Sequence, residues 1–180
     1  MRKLNMAELN RLTVDEFKSE RKSPIVIVLD NVRSLNNVGS AFRTSDAFLV
    51  EKIYLCGITG KPPHKDIQKT ALGATESVIW EYVDSTLAAI QQLKKEGYTV
   101  CALEQVDKSI KLHEFLPDPD RKFALVFGNE VFGVEEEVIE ASDYVIEIPQ
   151  LGTKHSLNIS VSMGIALWDF IVKMGILDKH

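Results

Sequence analysis

In the stretch GTKHSLNISVSMGIALWDF (residues 152–170), Ser156, Asn158, Ser160 and Ser162 crowd the start of what otherwise reads as a buried helix, with Lys154 and His155 just before them. Hydroxyls and amides at a helix start satisfy orphan N–H groups, but a cap uses one or two of them. The surplus is hydrogen-bonding capacity that a bound polar group could use. A second group lies in LDNVRSLNNVGSAFRTSDAF (29–48), where Asn36 or Asn37 can cap a helix. On that helix Arg43 has Gly39 and Ala47 as its i−4 and i+4 neighbours, so a large cation stands alone on a face of small residues. A plain surface arginine is the alternative. A third group is FGNEVFGVEEE (127–137), in which Gly128 and Gly133 bracket Asn129 and Glu130. Glycines there let the backbone approach a ligand or take a positive φ, and an ordinary turn would use them too.

Strands and helices must bring these groups together. Short β-branched runs, at 25–30, 52–56, 78–83, 98–103, 123–128 and 144–149, alternate with helical patterns at 37–48, 64–72, 85–96 and 134–141, and a last helix closes the chain. The runs are continuously apolar, which predicts strands covered on both faces, hence a mostly parallel sheet in an α/β fold with helices on both sides. Gly97 is a good stop for the helix before it. The segment MAELNRLTVDEFKSERK (6–22) reads as an amphipathic helical arm, with Thr13 and Glu16 spaced as a capping box. In parallel sheets ligands bind beyond the carboxyl ends of the strands. The polar and glycine-rich groups all follow strands, so they describe one site at one edge of the sheet.

Composition excludes several classes. The 180 residues fit one domain that needs no staples, and no apolar run approaches a membrane span. Cys56 and Cys101 sit in apolar runs and no Cys/His cluster has metal-ligand spacing, so no metal and a reducing cytoplasm are expected. The N-x-S sequon at Asn158 carries no meaning in such a setting. The formal charge of −5 is unevenly spread: residues 1–72 hold 12 Lys/Arg against 8 Asp/Glu, and residues 73–180 hold 9 against 18. That split permits a basic face on an acidic chain, as a phosphate-bearing partner needs, although a salt-bridged surface gives the same count. No G-x-G-x-x-G follows the first strand, GITGKPPH (57–64) lacks Walker spacing, and no G-x-S-x-G elbow is present.

Three segments, NNVGSAFRTSDAF (36–48), LVFGNEVFGV (125–134) and IPQLGTKHSLNISVSMGIALWDF (148–170), resemble in order the three motifs of the SpoU (TrmH-like) family of SPOUT RNA methyltransferases. The similarity extends over roughly residues 24–174, and S-L-N-[VI]-S-V after a Pro/Gly loop is its most specific part. The resemblance implies transfer of a methyl group from S-adenosylmethionine to a ribose 2′-hydroxyl, and a parallel sheet whose C-terminal part forms a deep trefoil knot. It implies a SPOUT domain over residues 24–180 and a short arm over 1–23 in place of a separate RNA-binding domain. It assigns Arg43, Asn37, Glu130, Ser156 and Asn158 to catalysis, Ser156 and Asn158 being caps as well. Leu103, Gly128, Asn129, Ile148, Pro149, Ser156 and Leu157 would contact the cofactor.

A 2′-hydroxyl is a weak nucleophile, so the enzyme must align it and stabilise developing alkoxide character. Arg43 suits that task as an electrostatic and positioning group, since a permanently charged guanidinium is a poor base. Asn37 would orient the substrate or Arg43, and Glu130 would hold Arg43 or the site loop. Transfer RNA is the expected substrate, with ribosomal RNA as the alternative. Base methylation and an inactive binding module are the rival readings. The final helix, with Leu167, Trp168, Phe170, Ile171 and Met174 around its circumference, is expected to pair two subunits, Phe170 lying in the interface.

Overall fold

The five apolar residues of IVIVL (25–29) face two different cores in alternation. Ile25, Ile27 and Leu29 join Val38, Phe42, Ile67, Leu167 and Phe170 on one side, while Val26 and Val28 join Ala89, Ile90, Leu93 and Val138 on the other. This apolar stretch is thus covered on both faces, as parallel sheets require. Each such side chain removed from water contributes roughly 1.5–3 kcal/mol. Truncating Ile27 to Ala would cost about 2–5 kcal/mol, because the surrounding core cannot collapse into the gap.

The computed structural model describes residues 1–5 and 7–179. Met6, where the expected arm helix begins, and His180, the last residue of the expected domain, lie outside the described residues. The described strands are β1 (Ser23–Asp30), β2 (Val50–Cys56), β3 (Trp80–Val83), β4 (Tyr98–Leu103), β5 (Ile110–Lys111), β6 (Lys122–Phe127) and β7 (Tyr144–Glu147). They form one sheet in the order β3-β2-β1-β6-β4-β7-β5, with every pairing parallel. The helices are α1 (Val14–Ser19), α2 (Leu35–Ala47), α3 (Lys65–Ala71), α4 (Ala74–Ser77), α5 (Thr86–Lys95), α6 (Glu136–Ala141) and α7 (Ile159–Lys173). The α/β class and the parallel sheet are as expected.

Several boundaries differ from the sequence expectation, each for a local reason. The arm is not one helix: Asn10 takes a positive φ of 45°, and α1 begins only at Val14, within the Thr13–Glu16 capping box, which is formed. Phe17 then anchors this turn in the core. Helix α2 starts two residues before the expected position because Ser34 is its N-cap, its hydroxyl accepting from the Asn37 N–H at 3.3 Å. Neither Asn36 nor Asn37 caps. Strand β7 ends at Glu147, so Ile148 and Pro149 lie in the loop beyond it. The two-residue β5, which pairs at the sheet edge with β7, is too short to leave a periodic signal.

Helix α3 crosses α2 closely. A Cβ on Gly39 would lie 2.1 Å from Thr70 Oγ1 and 2.3 Å from the Ile67 carbonyl oxygen, and Thr70 Oγ1 donates to the Asn36 carbonyl at 2.9 Å. Gly39 is therefore small to admit α3, not to clear a face for Arg43.

Candidate active site

The sheet order changes direction between β1 and β6: the chain builds β2 and β3 on one side of β1 and the later strands on the other. Loops leaving adjacent strands on opposite sides of such a switch diverge and open a crevice. Beside that switch, on the β6 side of it, the exits of β4, β6 and β7 enclose a cavity of about 690 Å³. Its lining includes Leu103, Gly128, Asn129, Glu130, Ile148, Ser156, Leu157 and Asn158. Pro149 does not line it, and neither do Asn37 and Arg43.

Asn37 is nevertheless joined to it. Its Nδ2 donates to Glu130 Oε1 at 2.9 Å, and its Oδ1 accepts from Asn158 Nδ2 at 3.2 Å. Glu130 also accepts the N–H groups of Arg33 and Ser34, each at 3.0 Å. Asn158 is the N-cap of α7, its Oδ1 accepting from the Ser160 N–H at 2.9 Å and the Ser160 hydroxyl at 2.6 Å. One polar chain thus runs from the β6 loop through the start of α2 to the start of α7, linking the three expected motif segments. Partial burial alone would push the Glu130 carboxyl up. The Asn37 amide and the Arg33 and Ser34 N–H groups outweigh it and hold the carboxyl below its usual range.

Glu130 holds the site loop and the start of α2, not Arg43. Arg43 is exposed and forms no hydrogen bond or ion pair among the described residues. It stands six residues beyond Asn37, roughly 9 Å along the helix axis. Ser156 lines the cavity without acting as a cap, and its hydroxyl has no partner among the described residues.

Asn129, expected at the cofactor, is consumed in building the loop. Its Nδ2 donates to the Asn31 carbonyl at 2.7 Å, and its Oδ1 accepts from the N–H groups of Val131 and Phe132. A supporting set was missed in the sequence. Asp30, fully buried at the end of β1, accepts from Thr86 Oγ1 at 2.6 Å and from the Glu135 N–H at 2.9 Å. Glu104 accepts the Val134 N–H at 3.1 Å, and Gln105 Nε2 donates to the His155 carbonyl at 3.0 Å, tying the last loop to the β4 exit. The available signal was position: each lies at or directly after a strand end.

The lining carries the carboxylates Glu104, Glu130 and Glu147 and no lysine or arginine. Such a cavity favours a cationic ligand. Among the described residues no cluster of His, Cys, Asp or Glu is placed to hold a metal.

Residues 24–168 match the model of the SpoU rRNA methylase family. The chain belongs to the SpoU family. It is therefore built as an RNA methylase, and the polar chain joining α2, the β6 loop and α7 is what its three motifs form together. This SpoU-family chain is 31% identical over 154 residues to the tRNA (guanosine(18)-2′-O)-methyltransferase of Aquifex aeolicus, covering 86% of this chain and 72% of that protein. The solved TrmH/SpoU tRNA modifying enzyme of A. aeolicus superposes with a TM-score of 0.80 at 27% identity, over 92% of this chain and 84% of that one. An AdoMet-bound rRNA methyltransferase from Sinorhizobium meliloti shares the fold, with a TM-score of 0.77 at 24% identity over 87% of this chain and 59% of that one.

Proposed function

We propose that this SpoU-family chain transfers the methyl group of S-adenosylmethionine to a ribose 2′-hydroxyl, with tRNA as its substrate. The observation that carries the reading is the Glu130–Asn37–Asn158 chain standing at the mouth of a cofactor-sized, electronegative cavity. A volume near 690 Å³ lies within the roughly 300–1,000 Å³ of small-molecule sites. Leu103, Ile146, Ile148 and Leu157 offer an apolar wall for a purine, and the three carboxylates complement a sulfonium, so the residues fit the cofactor. When bound, S-adenosylmethionine supplies an electrophilic methyl group.

The chain's own residues do the rest. Glu130 fixes the Asn37 rotamer and the first turn of α2. Asn37 and Asn158 fix each other across two elements, and the free Ser156 hydroxyl faces the same space as a donor to the ribose. Arg43, unpaired and outside the cavity wall, engages the phosphate beside the reacting ribose. Its planar fork can take two phosphate oxygens at once. Holding hydroxyl and methyl in line is the main requirement of this chemistry.

The tRNA assignment rests on the A. aeolicus tRNA (guanosine(18)-2′-O)-methyltransferase, most of whose length this chain covers. An rRNA substrate is the second reading, favoured by the description of the matching family. Nucleoside mass spectrometry of tRNA and rRNA from a deletion strain decides between them: loss of one 2′-O-methyl nucleoside from tRNA is expected, and loss of a base-methylated nucleoside instead would overturn ribose chemistry.

Assembly, location and arm belong to the same reading. Helix α7 and its C-cap Met174 bury Leu167, Phe170, Ile171 and Met174 in the core but leave Val161, Ile165, Trp168 and Val172 about half exposed. Their spacing of four, three and four residues makes one apolar stripe. A contiguous apolar stripe normally marks an association surface, and a two-fold homodimer through it is our proposal. Phe170, expected in that interface, is a core residue. Residues 1–23 act as an arm on a domain of residues 24–180, the knot forms around the 148–158 loop, and the enzyme works in the cytoplasm. No described helix is long and apolar enough to cross a membrane.

A further inference from the structure

The tip of the β6 loop presents two large apolar side chains to solvent. Phe132 is 84% exposed and Val131 68% exposed, and both line the cavity. Phe132 makes no ring contact with any described aromatic residue, and the core does not use it.

The tip is nonetheless held from many directions. Asn129 and Gly133 exchange both backbone hydrogen bonds at 2.9 Å. The N–H groups of Val131 and Phe132 go to Asn129 Oδ1 at 2.9 and 3.2 Å, that of Val134 to Glu104, and that of Glu135 to Asp30. Gly133, at a φ of +71°, has Glu104 against the position its Cβ would take. A loop with its amides so consumed does not fold Phe132 away. A rigid apolar tip beside a polar site suits a ligand with one flat apolar face and one polar part.

A nucleotide has that shape. Its ribose belongs beside the Glu130–Asn37–Asn158 chain, which begins one residue before Val131, and its base then needs a surface within a few ångströms. Unpaired RNA bases are taken up by stacking on aromatic side chains, a contact open to every base because each has a π-face. We infer that Phe132, flanked by Val131, is the stacking platform for the base of the nucleotide being methylated. The inference rests on the reading of the chain as an RNA ribose methyltransferase. It adds that the target base is unstacked from its neighbours on this tip.

The test compares wild type with Phe132→Ala, Phe132→Leu and Phe132→Trp on undermodified total tRNA from a deletion strain, or on total rRNA if that is the RNA the wild type methylates. Phe132→Ala should raise KM for RNA about 10-fold or more, in line with the alanine-substitution cost of a stacked base, with S-adenosylhomocysteine affinity, thermal midpoint and sedimentation unchanged. Phe132→Leu should not rescue. Phe132→Trp should bring KM back to within about threefold, and its emission should be quenched by RNA beyond the wild-type change from Trp80 and Trp168. An unchanged KM in Phe132→Ala would overturn the platform. So would a shift to monomer, which makes the tip a subunit contact, or a loss of S-adenosylhomocysteine affinity, which makes it part of the cofactor site. If wild type methylates no RNA at all, the functional reading fails first and the inference falls with it.

Discussion

Asn37 and Glu130 are 93 residues apart in the chain, and their side chains meet at 2.9 Å. Because Glu130 also holds the Arg33 and Ser34 N–H groups, one carboxylate sets both the helix start and the amide presented to substrate. Glu130→Gln keeps the shape but gives up the charged acceptor, so methyl transfer should fall about 10–100-fold, the scale of one charge-assisted hydrogen bond. Single-turnover kinetics at saturating cofactor measures this. Unchanged turnover would remove Glu130 from the machinery.

The same carboxylate predicts a pH effect on stability. Its folded-state value lies below the ordinary one of about 4.5, so its stabilisation is fully present above that value and is lost as pH falls through the folded-state value. Solvent screening at this exposed site limits it to under about 1 kcal/mol. Urea titrations at a series of pH values below 5 should show wild type losing stability more steeply than Glu130→Gln. Parallel curves would contradict the assignment.

Arg43→Ala should cost roughly 10²–10³ in methyl transfer, about 3–4 kcal/mol of transition-state stabilisation, with cofactor affinity and thermal midpoint intact. An exposed side chain with no bonded partner has nothing to destabilise when removed. Arg43→Lys should fail as well, because a point charge lacks the planar fork. More than half the wild-type rate in Arg43→Lys would make the fork irrelevant.

Trp168→Glu should yield a folded monomer by sedimentation velocity, since Trp168 is 51% exposed on the α7 stripe. Phe170→Glu should instead unfold the chain, because Phe170 is wholly buried against Phe115 and Phe123. A Trp168→Glu protein that still sediments as a dimer places the interface elsewhere.

Gly128→Ala should weaken S-adenosylhomocysteine binding at least tenfold by calorimetry. Its Cβ would lie 2.1 Å from the Gly133 carbonyl carbon and 2.2 Å from the Val134 nitrogen, both backbone, so the loop lining the cavity must move. Wild-type affinity in this variant would show that the loop is not part of the cofactor wall.

Strands and the site's neighbourhood were legible because burial on both faces leaves an unmistakable apolar run, and because chemistry in a parallel sheet collects at strand exits. Partners were not. Nothing local distinguishes Asn36 from Asn37, or tells that Ser34 rather than either caps α2 while the Asn37 side chain goes to Glu130. Asp30 and Glu104 read as ordinary acidic residues at strand ends, since their partners, Thr86 and the 134–135 backbone, are brought in only by the fold. Ser156 and Asn158 looked alike in the crowded helix start, and only the register of α7 separates the cap from the free hydroxyl. Phe170 and Trp168 were likewise equivalent as apolar residues until the sheet chose which face of α7 to cover.

Strand β6 has β1 on one side and β4 on the other, and both precede it in the chain. During folding, then, neither half of the sheet can complete its centre alone: the two halves must wait, edges open, until residues 122–127 slot between them. Closure over such sequence distances is slow, and the waiting edges are exposed to wrong pairings. Glu130 follows β6 by three residues, so the strand that completes the sheet also delivers the carboxylate to Asn37. Without β6 in its place between β1 and β4, Glu130 has no route to Asn37. Pairing of β6 with β1 and β4 therefore completes the centre of the sheet and the Glu130–Asn37 part of the site together.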